Sequence, residues 1–227
     1  MISKEIFGHR FHLGVGAYGP SPRHLIGVVL MIGIITIVAA VFLLVPAWQK
    51  STYISRTDLG FEVQIPVGWE LKEEDTSSTY HYLMKSFMKN YEYRDFGGDI
   101  MVLAQKNLGY DNIESFIECR KELASESWEN HGFQLGADQE ESCEVAGASG
   151  TAWIACIQIK DSSTPGLIVG WMKSLFFASG ENLEYLYCLR FSAFNLNPIP
   201  STGNDIIPEY YDLLNDFENV VSSFEFI

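Results

Sequence analysis

Asp138–Phe194 reads DQEESCEVAGASGTAWIACIQIKDSSTPGLIVGWMKSLFFASGENLEYLYCLRFSAF, and its punctuation decides the fold class. Four β-type segments, at about 138–145, 151–160, 167–178 and 184–194, are separated by turn chemistry at Gly147–Gly150, Asp161–Gly166 and Gly180–Asn182. Strand-length apolar runs with turn residues between them predict consecutive antiparallel hairpins.

Just upstream the period changes from two to that of a helix. Asp111 followed by Glu114 resembles a capping box, in which a carboxylate accepts from the first free amides. Ile113, Phe116, Ile117, Leu123, Ala124 and Trp128 then fall on one helical face, and Gly132 is a suitable terminator. A second helix is predicted after Pro208, which suits a first turn because its missing amide costs nothing there. Tyr210, Leu213, Leu214, Phe217, Val220 and Val221 form its apolar stripe, and Ser223–Ile227 ends the chain as a short strand or a hydrophobic tuck.

Before the first helix, Gly60–Ile65 alternates apolar and polar side chains, and Pro66 and Gly68 break it ahead of Trp69. Asp99–Gln105 also reads as strand. Residues 79–96 carry Tyr80, Tyr82, Phe87, Tyr91, Tyr93 and Phe96 without a clean period, so helix, strand and loop stay open there. These aromatics suit core packing or a ligand or partner groove. The whole order of elements predicts an α+β domain, a mainly antiparallel sheet with helices covering its faces.

The N-terminal end is of another kind. Leu25–Trp48 reads LIGVVLMIGIITIVAAVFLLVPAW, with no ionisable side chain. At 1.5 Å per residue it reaches about 36 Å as a helix, enough to cross a hydrocarbon core of about 30 Å. A helix satisfies its own amides in lipid, Trp48 stands where an interfacial aromatic belongs, and Pro46 falls at the end, where a break is tolerated. Val45 and Ala47 make a passable signal-peptidase pattern, but the apolar run exceeds the usual signal length of about 7 to 15 residues. The expected organisation is a basic tail at 1–24, a transmembrane helix at 25–48 and an acidic soluble domain at 49–227. Lys4, Arg10 and Arg23 before the span against Lys50 and Arg56 after it favour the tail inside and the domain outside the cytoplasm, at the cell membrane.

The chain carries a net charge of −14, and removing the tail's Lys4, Glu5, Arg10 and Arg23 leaves 12 basic against 28 acidic residues beyond the span. Such a surface repels phosphate backbones, so no nucleic-acid partner is expected. Acidic runs at Glu73-Glu74-Asp75 and Asp138-Gln139-Glu140-Glu141 match no calcium-loop register and read as solvated loops. No Walker loop, G-x-G-x-x-G, H-E-x-x-H or nucleophile elbow occurs, Gly147-Ala148-Ser149-Gly150 being a turn, and no cofactor is expected. His9, His12 and His24 in the tail match no usual metal spacing, while His81 and His131 are far apart in sequence. Cys119, Cys143, Cys156 and Cys188 form no C-x-x-C pair, which argues against zinc; Cys143 and Cys156 flank the Val145–Gly150 turn and are the disulfide pairing to test first.

One resemblance emerges from these residues. Gly60-Phe61-Glu62-Val63-Gln64-Ile65-Pro66-Val67-Gly68-Trp69 resembles the opening "GF-x-I-x-P-x-GW" strand of PsbP-like domains, and the helix from Asn112, the Val145–Thr151 hairpin turn and the closing Val220–Phe226 fit the same pattern. The resemblance implies an αβα sandwich serving as a non-catalytic binding or assembly module beside membrane complexes. It supplies no catalytic residue, and the anchor departs from the soluble photosynthetic members, so it implies no photosystem role. The function expected is therefore a membrane-tethered extracytoplasmic, non-catalytic binding or assembly module associated with a membrane-complex protein or envelope component. The alternative is an extracytoplasmic hydrolase or metal-dependent enzyme whose site is dispersed in sequence.

Overall fold

The structure, a computed structural model, describes residues 51–77, 81–91, 96–160, 167–180, 182–195 and 208–227. The expected tail at 1–24 and span at 25–48 lie outside the described residues, as do Tyr80 and Tyr93. Among the described residues no helix is long and apolar enough to cross a membrane.

The described elements run β1 (Thr52–Arg56), a 3-10 turn (Thr57–Leu59), β2 (Phe61–Ile65), β3 (Glu70–Ser77), β4 (Tyr82–Tyr91), β5 (Phe96–Lys106), α1 (Ile113–Asn130), β6 (Phe133–Val145), β7 (Ala148–Ile159), β8 (Ile168–Ser179), β9 (Tyr185–Asn195), α2 (Pro208–Ser223) and β10 (Glu225–Phe226). Seven strands form one sheet in the order β3-β4-β5-β9-β8-β7-β6, and β1, β2 and β10 form a smaller one. Every pairing is antiparallel. The class is α+β, as the segment order predicts, and the large sheet is two meanders joined where β9 returns beside β5.

Strand alternation sorts the core into two layers. In β5, Ile100, Val102 and Ala104 join one apolar cluster, while Met101 and Leu103 join the other. The first cluster is closed by α2 and the small sheet, with Phe61, Leu213, Phe217, Val220 and Phe224 buried in it. Its centre is a set of rings in which Phe177 lies 5.2 Å from Tyr187 and 5.0 Å from Phe224. The Tyr187 hydroxyl donates to the Leu59 carbonyl at 2.8 Å, and burial pushes its pKa up to about 12. Helix α2 can approach the sheet closely because Gly98 has no side chain: a Cβ there would come within 2.8 Å of Leu213 Cδ1 and 3.1 Å of Trp69 Cη2. Asp216 then fastens the helix, accepting from Trp69 Nε1 at 2.9 Å and pairing with Lys89 Nζ at 2.7 Å.

Helix α1 closes part of the opposite face. Its N-cap is Asn112, one residue later than the Asp111 start: Asn112 has extended backbone and its Oδ1 accepts from the Ser115 amide at 2.8 Å. Phe116, Ile117 and Ala124 are buried, Phe116 lies 6.1 Å from Phe176, and Trp128 lies 5.7 Å from Phe133 and 5.9 Å from Phe194. Leu123, expected on the buried face, is 47% exposed. The helix packs against β6 and β8, and Leu123 looks past that contact toward the uncovered strands.

Three other expectations change. The acidic runs are parts of strands, Glu73–Asp75 in β3 and Asp138–Glu141 in β6, which are the two edges of the large sheet. Charge on an edge strand opposes pairing with another chain. The tight turn is Ala146-Gly147, with φ of 50° and 81°, so Ser149 belongs to β7. Cys143 and Cys156 are not brought together: all four cysteines are free, and Cys143 pairs in register with Gly150. Cys156 stands six residues further along β7, about 20 Å at the rise of a strand and far beyond disulfide reach.

Candidate binding groove beside helix α1

Where α1 stops short of β3 and β4, inward-facing positions of five strands are left beside it. Register places Glu73 opposite Ser86, Ser86 opposite Met101, Met101 opposite Arg190 and Arg190 opposite Ser174, a single row across β3, β4, β5, β9 and β8. The next row holds Met88, Asp99 and Ser192. A strip of polar side chains thus crosses a sheet face that is apolar beneath the helix.

The resulting cavity of about 290 Å³ is floored by Met84, Met101, Leu103, Phe176 and Cys188, and walled by Glu73, Arg190 and Ser174 on the sheet side and Arg120, Leu123, Ala124 and Ser127 on α1. A wider depression of about 550 Å³ lies toward the start of α1, lined by Asp75, Ser77, Tyr82, Gln105, Lys106, Leu108, Gly109 and Tyr110. Arg120 connects the two, since its Nη2 donates to Gln105 Oε1 at 2.5 Å. Its guanidinium lies over the Phe116 ring, 5.4 Å from the centroid. Together the hollows make a groove along one side of α1.

The electrostatics are unusual for so acidic a chain. Asp99 accepts from the Ser86 hydroxyl and faces Arg190 Nη2 at 3.9 Å. Burial pushes the Asp99 carboxyl above the ordinary range; Arg190 and Ser86 pull it back, and the Glu73 carboxylate adds to the rise. On the floor, burial raises the Cys188 thiol to about 12 against the pull of Arg190 and Arg120, so it is an inert thiol at neutral pH. The Nε atoms of Arg120 and Arg190 and the Ser192 hydroxyl are buried with no hydrogen-bond partner among the described residues.

The side chains singled out by sequence lie elsewhere. His81, in a turn with φ of 44°, has Nδ1 3.7 Å from Asp58 Oδ2, and His131 Nδ1 lies 2.7 Å from the Ser127 carbonyl oxygen. Neither lines the groove. Asp138 accepts from Trp153 Nε1 at 2.7 Å, Glu140 pairs with Lys121, and Glu74 pairs with Lys85 at 3.3 Å, so these acidic positions are engaged in sheet-edge contacts. Among the described residues no three His, Cys, Asp or Glu side chains are grouped to hold a metal ion. Of the aromatic stretch, Phe87 and Phe96 are core and Tyr82 lines the groove. Sequence reasoning missed Asp99, Arg120 and Arg190. Its signal was present in β5 and β9, where FGGDIMVLA and YLYCLRFSAF each hold a charge inside a run long and apolar enough to be buried.

No protein-family model matches the sequence, and no curated protein matches it. Among solved structures, the chain is similar to a cyanobacterial PsbP, CyanoP, from Synechocystis, with a TM-score of 0.48 at 13% identity over 79% of this chain and 94% of that one. It is also similar to the Ran-binding protein Mog1p of Saccharomyces cerevisiae, with a TM-score of 0.43 at 10% identity over 78% and 96% of the two chains. A third is LpqN of Mycobacterium tuberculosis, described as involved in cell envelope biogenesis, with a TM-score of 0.38 at 14% identity over 78% and 90%. These are likenesses of general layout, and no residue role passes from them to this chain.

Proposed function

We propose that the chain is a membrane-tethered extracytoplasmic module that binds without catalysing, and that its binding site is the groove beside α1. The observation that carries this reading is the hollow with an apolar floor that Arg120 from α1 and Arg190 from β9 both border, each with a buried Nε that has no hydrogen-bond partner among the described residues. Concave sites that combine an apolar lining with a few convergent polar groups are where proteins hold ligands. The tether is the uncharged run Leu25–Trp48, and the acidic balance beyond it disfavours nucleic acid.

The test is photocrosslinking in native membranes with benzoylphenylalanine at Leu123 in the groove or at Tyr211, which is 56% exposed on α2. Discrete adducts from Leu123 and not from Tyr211, on a chain that stays with membranes through an alkaline carbonate wash, support the proposal. Release of the chain by the wash defeats the tether, and matching adduct patterns from the two positions defeat the groove. A hydrolase is the second reading, favoured by one contact, the Ser86 hydroxyl donating to the buried Asp99. It requires ester or amide hydrolysis by the purified chain that Ser86→Ala abolishes.

A further inference from the structure

The groove's own chemistry narrows what it takes. We infer that it holds a small organic carboxylate, a singly charged anion on an apolar body, with Arg120 and Arg190 receiving the carboxylate and Met84, Met101 and Leu103 receiving the rest. This rests on the reading of the groove as a binding site and adds the class of ligand.

Two guanidinium groups border one cavity, Arg120 from α1 and Arg190 from β9, in a chain whose net charge is −14. Arg120 is hydrogen-bonded to the neutral Gln105, and Arg190 is 3.9 Å from Asp99, too far for a hydrogen bond. The buried Nε of each has no acceptor among the described residues. A guanidinium presents its donors as a planar fork that matches a carboxylate, and an incoming carboxylate supplies the acceptors that are missing. Glu73 stands on the sheet-side wall and repels a second negative charge, which selects a monoanion over a phosphate dianion. The floor of methionine, leucine and phenylalanine side chains has no use for a polar body, and thioether side chains adapt to varied shapes. A volume of about 290 Å³ lies at the small end of ligand sites, which fits a dissolved small molecule and excludes a whole acyl lipid.

The experiment uses the full chain in phosphatidylcholine nanodiscs with ¹³C-methyl methionine, reading Met84 and Met101 on the groove floor and Met172 beneath α1. The probes are 3-phenylpropionate, 3-phenylpropanol and inorganic phosphate. The expected result is saturable movement of the Met84 and Met101 methyls with 3-phenylpropionate, and at least tenfold weaker binding of the alcohol. Arg120→Gln and Arg190→Gln each weaken the acid at least tenfold and leave the alcohol within about twofold, while Arg120→Lys recovers part of the loss. An unchanged Met172 signal certifies the fold of each variant. Should Arg190→Gln lose that signal, Leu123→Trp fills the groove from an exposed position without altering charge and is expected to abolish the response to the acid. Equal binding of acid and alcohol overturns the carboxylate while leaving a groove that binds; phosphate preferred over the acid overturns the monoanion. No response of either methyl to any probe overturns the ligand class, and crosslinking at Leu123 then judges the groove by itself.

Discussion

On one face of the large sheet, Phe177, Tyr187, Leu189 and Phe191 are covered by α2 and the small sheet, and each is at most 1% exposed. On the other, α1 covers Phe176, Ala155 and Met172, but beside it Arg190, Asp99 and Ser192 occupy inward positions next to an open hollow. Both faces are built from the same strands with the same alternation. What separates them is how much of each is roofed: a helix is about 10 Å wide, and α1 alone does not span seven strands. The closed face tolerates the buried Tyr187 hydroxyl because Leu59 and Ser179 partner it at 2.8 and 3.0 Å. The half-open face keeps polar atoms, Arg120 Nε, Arg190 Nε and Ser192 Oγ, that have no hydrogen-bond partner among the described residues. The first face is therefore the fully packed one, and the second leaves a hollow bordered by charged side chains.

The strongest way to break this contrast is to truncate one apolar side chain on each face. Phe177→Ala, at the centre of the ring cluster, is expected to cost about 3–5 kcal/mol in urea unfolding, from lost transfer energy plus an unfilled cavity. Leu123→Ala, at the groove, is expected to stay within about 0.5 kcal/mol. Comparable losses would mean that the groove side is packed as tightly as the other. Next in size is Tyr187→Phe, expected to cost about 1–3 kcal/mol because it strands the buried Leu59 carbonyl. Smaller again is Asn112→Ala, about 1 kcal/mol for the loss of the cap on α1, with Asn112→Asp keeping most of it. If the Asn112→Ala loss were as large as that of Phe177→Ala, the roof over the second face would matter more than its contacts indicate.

How far the sequence announces this arrangement differs between the same two regions. The hairpins β6 to β9 were legible because β7, β8 and β9 are long apolar runs and Gly, Asn or Asp stands between each strand and the next, and the bounds differ by only a few residues apart from the acidic edge strand β6, which begins at Phe133. The stripe of α2 was legible because Leu213, Phe217 and Val220 all face one core. By contrast β3, ELKEEDTS, has exposed side chains along most of its length and so shows no alternation, and β4, YLMKSFMKNY, puts apolar groups on both faces. Those two strands frame the groove. The site was hidden for a further reason: Ser86, Met101, Arg190 and Ser174 become neighbours only through register, which no local pattern in the chain encodes. Leu123 misled for the complementary reason, since helical spacing places it on the apolar face but does not say where the partner surface ends.

The smallest expected effect is also the most direct measure of the open face's electrostatics, and it is read in the pH dependence of stability. Asp99 has its pKa raised by burial, so the folded chain keeps that proton to a higher pH than the unfolded chain, whose Asp titrates near the ordinary value of about 3.9. Its contribution is fully present below that ordinary value and is lost as pH rises through the raised one. Asp58 has the opposite sign: its hydrogen bond from Arg56 lowers its pKa, so its contribution is present above the ordinary value and fades as pH falls through the depressed one. Thermal unfolding between pH 3 and 7 should therefore show Asp99→Asn removing a stability loss on the rising side of the carboxylate range, and Asp58→Asn removing one on the falling side. Arg190 acts only on the ionised carboxylate and partly offsets burial, so the pH-dependent difference between the two curves reports the net of the two. An Asp99→Asn curve parallel to the parent would show a carboxyl hydrated as freely as Asp58, and the distinction between a desolvated strip on the sheet and an ordinary exposed ion pair would fall with it.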